Sequence, residues 1–359
     1  MELSRALPDR AFWAGQRVFL TGHTGFKGAW MLLWLERLGA QVFGYALAPD
    51  QTPDLYSQIA PCAGLISTFG DLADRAALTA AVREARPNIA IHMAAQPLVR
   101  RSYAQPVETF AANVMGVAHM LEALRDEPDL KAVLVVTTDK VYCTRAERSR
   151  NFVESDRLGG HDPYAASKAA AELVTASYSA SFFRPRGVPV ATARSGNVIG
   201  GGDWSEDRIV PDIWRALTAG RTLELRHPTA TRPWQHVLDS LCGYFAFIEH
   251  MVAHPDASPE ALNLGPALGS EQVTVAELVE RFGAAFGAAT PWAPAQQAGP
   301  VETLQLALDP SAAERTLGWR ARLMPREAIG WTADWYRRHA APQAARAIAL
   351  AQIQDFEAL

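Results

Sequence analysis

The 359 residues are 49% hydrophobic and 20% charged, with a formal net charge of −4. A chain of this size holds two domains, or one large α/β unit with an appended lobe, and can bury a sizeable core. The near-balanced charge, without a long basic run, excludes a generic nucleic-acid-binding surface, and no stretch approaches the roughly 18 apolar residues of a membrane helix.

Short apolar runs alternate with helical patterns through the first half. Strands are expected at Arg17–Thr21, Gln41–Leu47, Leu65–Phe69, Ile89–His92, Ala132–Thr137 and Val188–Arg194. Several show little polar alternation, as strands buried on both faces do. Helices are expected between them at Lys27–Leu38, Ala76–Ala85, Thr109–Leu124 and Pro163–Phe183. This alternation predicts a doubly wound α/β sheet of the Rossmann type, with right-handed crossovers placing helices on both faces. After Asn197 the pattern loosens. Gly200, Gly201 and Gly202 read as a flexible stretch, and Pro211, Pro228 and Pro233 punctuate less regular segments. Ala261–Gly265 reads as a strand returning to the main sheet, Thr290–Gly299 as a loop, and Pro342–Phe356 as a terminal helix without an evident role. The N-terminus (Glu2, Arg5, Asp9, Arg10) is too charged for a signal peptide, and Cys62, Cys143 and Cys242 lie far apart. Neither a disulfide framework nor a metal site is expected, and the localisation reads as cytoplasmic.

Thr21-Gly22-His23-Thr24-Gly25-Phe26-Lys27-Gly28 follows the first strand and opens a helix. Glycines serve turns of many kinds. In this place they allow a tight turn and close backbone approach, and the helix N-terminus attracts a pyrophosphate, so a dinucleotide is expected. An acid at the end of the second strand normally holds the adenosine ribose of NAD. Asp50 comes near that place but lies past the natural strand end, and no Lys or Arg occurs from Ala40 to Asp74 to meet a 2′-phosphate. NAD is therefore expected, with NADP not excluded because Lys27 is a nearby cation. Asp71 and Leu72 follow the third strand, where the carboxylate either reaches the adenine amine or caps a helix.

Tyr164-Ala165-Ala166-Ser167-Lys168 puts a phenol and an ammonium one helical turn apart. The lysine is expected to lower the phenol pKa and to hold a ribose, leaving Tyr164 as a base during hydride transfer. Val136-Thr137-Thr138-Asp139-Lys140-Val141-Tyr142 ends the fifth strand, at the sheet edge where open α/β folds bind ligands. Thr138 either bonds the substrate hydroxyl or, with Asp139, makes a turn.

These segments resemble the extended short-chain dehydrogenase/reductase superfamily. Further segments resemble one branch of it, the CDP-glucose 4,6-dehydratases: Ala94-Ala95-Gln96-Pro97-Leu98-Val99-Arg100, Thr137–Tyr142, Leu158–Tyr164, Ser195–Trp204 and Arg232-Pro233-Trp234-Gln235-His236-Val237. The resemblance runs from about Phe12 to Trp335. It implies a lyase of deoxysugar biosynthesis that runs an internal redox cycle on CDP-glucose. Oxidation at C4 acidifies the C5 proton, water leaves across C5 and C6, and reduction at C6 yields CDP-4-keto-6-deoxyglucose with a tightly held, recycled NAD.

The resemblance also implies roles. Thr138, Asp139, Lys140, Tyr164 and Lys168 form the catalytic set. Asp139 is the general acid, which requires a raised pKa. Lys140 stands where related dehydratases carry a glutamate base; it could act as a base, stabilise an enolate, or hold Asp139 ionised. Gly22, Thr24, Gly25, Phe26, Gly28, Asp71, Leu72, Ala94, Ala95 and Thr137, with Tyr164 and Lys168, line the cofactor. Gln96, Arg100, Asn197 and Arg232 meet the sugar nucleotide, Arg232 at its diphosphate. For Arg100 and Arg101 a solvated face is an equal reading, and for Trp204, Trp234 and His236 core packing. Residues 12–196, with a return near 261–265, are expected to form the NAD-binding domain, 197–340 mainly the substrate lobe, and 341–359 a helical tail. A homodimer or higher homo-oligomer is expected through Pro163–Phe183 and Thr109–Leu124, with no nucleic acid and no membrane as partner. The rival readings are a nucleotide-sugar 4-epimerase, a dehydratase using another nucleotide, and a non-catalytic nucleotide-binding regulator.

Overall fold

The computed structural model describes residues 7–144, 150–287, 291–295, 306–341 and 343–359. Among them, seven parallel strands form one sheet: β1 Arg17–Thr21, β2 Gln41–Ala46, β3 Leu65–Phe69, β4 Ile89–His92, β5 Ala132–Val136, β6 Val190–Ser195 and β7 Ala261–Leu264. The spatial order is β7-β6-β5-β4-β1-β2-β3. The chain reverses direction across the sheet between β1 and β4, and a crevice opens there at the carboxyl ends of the strands. In register, Thr21 stands level with Tyr45 on one side and His92 on the other. The expected return of Ala261–Gly265 to the sheet is realised as β7, paired with β6. The outermost strand departs from the expectation of two-sided burial. β3 is largely exposed because, as an edge, it is covered by less of the structure.

Five longer helices matter for the site: α1 Phe26–Leu38, α2 Arg75–Ala85, α3 Gly116–Leu124, α4 Pro163–Tyr178 and α5 Val237–Ala253. The expected helices Thr109–Leu124 and Pro163–Phe183 are each interrupted by a π-helical turn, at Ala111–Met115 and Ser179–Phe183. The core lies on both faces of the sheet. One face packs Leu78, Val82, Leu121 and Leu124 of α2 and α3. The other packs α1 and α5, and α1 is buried nearly all round.

Two later helices, α6 Pro325–Ala340 and α7 Ala345–Glu357, explain that burial. The terminal helix α7 packs on α1 by Ile348, Ile353 and Phe356, with Trp34 Nε1 donating to Glu357 Oε1 at 3.0 Å and Arg346 pairing with Glu36 at 2.5 Å. It thus backs the helix that follows the glycine loop. Pro342, expected as its start, lies outside the described residues.

The glycine triplet is not a flexible stretch. A Cβ on Gly201 would collide with the Trp335 ring, one on Gly200 would meet Val237 at 2.7 Å, and Gly202, at φ +76°, faces Leu55 at 2.7 Å. Glycine is required there because two layers of the structure meet without room for a side chain. Nor is Thr290–Gly299 all loop. Trp292–Pro294 pairs in parallel with Leu223–Leu225, while Thr290 and residues 296–299 lie outside the described residues. No helix among the described residues is long and apolar enough to cross a membrane.

Candidate active site

A cleft of about 1750 Å³ runs along the carboxyl ends of the strands, between the sheet and the segments that follow β6. Every site residue expected from the sequence lines it: the glycine loop, Asp71, Leu72, Ala94 to Gln96, Arg100, Thr137 to Lys140, Tyr164, Lys168, Asn197 and Arg232.

The glycine loop has the shape a diphosphate needs. Gly22 adopts φ +74°, and a Cβ there would sit 2.6 Å from the Ala94 nitrogen; a Cβ on Gly28 would strike the Gly22 carbonyl. Gly25 is the N-cap of α1, and no side chain caps that helix, so its first N–H groups remain available to an anion. Thr24 ties the loop to the end of β2 by donating to the Leu47 carbonyl at 2.9 Å. His23 turns inward onto Ser67 at 2.7 Å, and burial lowers its pKa to about 4, so it is neutral.

Lys27 does not face the adenosine end. Its ammonium donates to the Tyr244 hydroxyl at 3.2 Å, and that hydroxyl lies 3.0 Å from Ser195 Oγ, at the β6 side of the cleft. The cation that does approach the end of β2 is Arg101, 3.8 Å from Asp50 and 3.1 Å from Glu206. Two carboxylates against one guanidinium make a poor place for a 2′-phosphate. Asp71 is not a helix cap: Asp74 caps α2, while Asp71 accepts from its near neighbour Ala73 at 2.9 Å.

The catalytic set gathers where β5 ends and α4 begins. Thr138 donates to Asp139 Oδ1 at 2.9 Å. Asp139 is only 2% exposed, and its Oδ2 has no hydrogen-bond partner among the described residues. Burial raises its pKa, against the smaller opposing pulls of Lys140, Thr138 and Arg232. Desolvation of the carboxylate thus outweighs the partly solvated Lys140 beside it.

Tyr164 and Lys168 depart from expectation in their electrostatics. Burial pushes the phenol up to about 12, and the groups that pull it down are Thr138 and Arg208. Lys168 instead donates to the Val136 carbonyl at 3.1 Å, and burial, aided by Lys27, lowers its pKa to about 8. Proximity along a helix was not enough, because the ammonium points to the strand.

Other expected residues are placed less simply. Gln96 spends its side chain on its own loop, donating to Leu98 O at 3.1 Å and Thr109 Oγ1 at 2.9 Å. Arg100 lines the cleft and pairs with Asp207 at 2.5 Å. The Thr137 hydroxyl turns away to Glu172 at 2.5 Å. Asn197 accepts at its carbonyl from Gln235 N at 3.1 Å. His236 is a core residue, packed between Trp30 and Trp331, while Trp234 donates to Val273 O at 3.1 Å and also lines the cleft. Trp204 serves both readings, packed on Trp335 and Tyr336 yet lining the cleft. Sequence reasoning missed Glu172, Arg194 and the Asp50 contact of Arg101, and no local motif marks any of them. No group of three or more His, Cys, Asp or Glu suited to a metal occurs among the described residues.

A family model described as GDP-mannose 4,6 dehydratase matches residues 19–330. The chain belongs to that family. A CDP-glucose 4,6-dehydratase of Salmonella typhimurium is 41% identical over 334 residues, covering 92% of each chain. Among solved structures, a dTDP-glucose 4,6-dehydratase of Streptomyces venezuelae with NAD bound is 26% identical, with a TM-score of 0.76 and coverage of 89% of this chain and 97% of its own. An epimerase of Methanothermobacter thermautotrophicus matches at TM-score 0.78 but 22% identity, covering 92% of this chain and 94% of its own, which shows the shared fold. The family thus includes the cleft, from the first sheet strands to α6.

Proposed function

We propose that this chain is a CDP-glucose 4,6-dehydratase, a hydro-lyase that forms CDP-4-keto-6-deoxyglucose with NAD as a recycled cofactor. The observation that carries the reading is Asp139: a buried carboxyl whose pKa burial raises, with one oxygen unpartnered among the described residues, beside Thr138 and Tyr164 in the cleft. A 4-epimerase needs the phenol and lysine but has no leaving water to protonate. The Salmonella relative supports CDP as the nucleotide.

The cradle of Gly22, Gly25 and Gly28, with the uncapped start of α1, fits the dinucleotide diphosphate, and Ala94 and Ala95 leave room beside it. When bound, NAD supplies reversible two-electron acceptance at the sugar C4 and donation at C6. Tyr164 takes the proton of the 4-hydroxyl. Burial holds that phenol up at about 12, and Thr138 and Arg208 are the groups that favour the phenolate as the proton leaves. Thr138 orients the same hydroxyl. Asp139 then gives its proton to the departing 6-hydroxyl. Lys140, which lines the cleft next to Asp139, stabilises the enolate formed as the C5 proton passes to solvent. Arg232 and Asn197 meet the diphosphate, and Arg100 the nucleotide side. Residues 197–340 supply most of this substrate wall.

We also infer a homodimer. Val107 and Leu173 are 74% and 65% exposed on helices that contact one another, and Phe110 and Met115 are exposed as well, apolar side chains of the kind that a second copy would cover.

The test is direct. The protein with CDP-glucose and a trace of NAD in deuterated water should yield a product lighter by one water, with deuterium at C5 and the original C4 hydrogen at C6. A C4 epimer of unchanged mass would replace dehydration by epimerisation, and faster turnover of dTDP-, GDP- or UDP-glucose would reassign the base.

A further inference from the structure

One buried network has no part in the steps above. Glu172 follows Lys168 by one helical turn and Tyr164 by two, so the three share one face of α4. Its carboxylate is buried and fully engaged. Oε1 accepts from Thr137 Oγ1 at 2.5 Å and Arg194 Nε at 3.0 Å; Oε2 accepts from Arg194 Nη2 at 2.7 Å and Thr192 Oγ1 at 2.7 Å. Arg194 also donates to the Tyr142 hydroxyl at 2.8 Å, which donates to Asn263 Oδ1 at 2.7 Å. Thr137 and Tyr142 are the two ends of the segment that carries Thr138, Asp139 and Lys140. One ion pair therefore grips both ends of the catalytic turn, and its acid stands on the catalytic helix.

Such a pair is weak evidence for stability, since a buried salt bridge often does no better than apolar packing of the same volume. Its placement matters more. Thr138 and Asp139 on the turn must meet two hydroxyls of one sugar ring while Tyr164 on the helix takes a proton from it. Turn and helix are separate pieces of chain. Between them, within this network, stand the Thr137–Glu172 bond and the Arg194 bridge to Tyr142.

We propose that Glu172 is a positioning residue: with Arg194 it clamps the Thr138–Asp139 turn, through Thr137 on one side and Tyr142 on the other, in fixed geometry against Tyr164 and Lys168. This rests on the dehydratase reading of the cleft. A displacement of about 1 Å in such a constellation costs on the order of 10²-fold in rate. The carboxylate also favours the charged form of Lys168 against burial, which serves the same site.

Thr137→Val cuts the link while leaving the Glu172–Arg194 pair intact, and Thr137→Ser restores the hydroxyl. In the NAD-loaded full chain, T137V should lower kcat for CDP-glucose by about tenfold or more, with KM, retained NAD and melting temperature near wild type, and T137S should recover most of the loss. Glu172→Gln should lower kcat further and also the melting temperature, because it leaves Arg194 a buried, uncompensated cation. An unimpaired T137V beside an active wild type overturns the clamp alone. So does a T137S as slow as T137V, or a kcat loss matched by loss of bound NAD, which would make Thr137 a cofactor ligand. A wild type that turns over no nucleotide sugar overturns the dehydratase reading and the clamp with it.

Discussion

Asp139 and Lys140 are neighbours with opposed demands. A carboxyl that must donate a proton is disfavoured by an adjacent ammonium, which stabilises its ionised form. In this cleft burial wins and the Asp139 pKa stands above its ordinary value, with Lys140 the largest of the opposing influences. The acid works in its protonated form, so the dehydration rate should fall as pH rises through the raised pKa. Lys140→Met removes the opposing cation, and the alkaline limb of kcat should move to higher pH; a limb that moves down or stays would show that Asp139 is not the titrating acid. Asp139→Asn keeps the shape and removes the proton, and should slow water loss by about 10²–10⁴-fold, read by mass in a quenched time course.

At the scale of elements, α5 is held by a carboxyl of the same kind that faces no substrate. Asp239, in its first turn, accepts from the backbone of Arg322 at 2.6 Å and of Leu323 at 3.3 Å, joining α5 to the turn before α6. Burial raises its pKa to about 7 from 3.8. The folded state then holds a proton that the unfolded chain releases. The contribution of Asp239 is complete below the unfolded pKa and is lost as pH rises through about 7. Over that window it lowers stability by at most ~1.4 kcal/mol per pH unit. Asp239→Asn should flatten this part of the profile, so that chemical-denaturation midpoints at pH 5 and pH 8 lie closer together than in wild type. An unchanged spacing would assign the slope to other groups.

The whole molecule is built so that distant pieces of chain meet over one cleft. The terminal helix α7 backs α1, whose first turn faces the dinucleotide site, and the arginines at positions 100 and 101 reach Asp207 and Glu206 across the cleft mouth. Those surface pairs are half-exposed and each adds little. Val107 and Leu173 are the two most exposed large apolar side chains among the described residues. A charge there, Leu173→Glu, should convert a dimer to a monomer in sedimentation velocity, with the monomer still folded because Leu173 is exposed on the single chain. A wild type that sediments as a monomer would remove the dimer from the proposal.

Much of this was legible in the sequence because it is local. The strands Arg17–Thr21, Leu65–Phe69 and Ile89–His92 fall at the expected residues, since a short apolar run bounded by polar residues can do little else between helices. The glycine loop and the Tyr164–Lys168 pair could be read because their geometry is set by spacing along one turn or one helix. What spacing could not say is where a side chain ends up once elements pack. Lys168 reaches a strand carbonyl instead of the phenol, Gly200 to Gly202 are glycines because Trp335, Leu55 and Val237 fill the space, and Thr137, though it lines the cleft, gives its hydroxyl to Glu172. Burial, which raises the pKa of Asp139, Tyr164 and Asp239, is likewise made by residues brought from every part of the chain. The sequence determined which chemistry the groups can do; the packing of the sheet, its helices and the later segments decided which charge each group carries and which neighbour it meets.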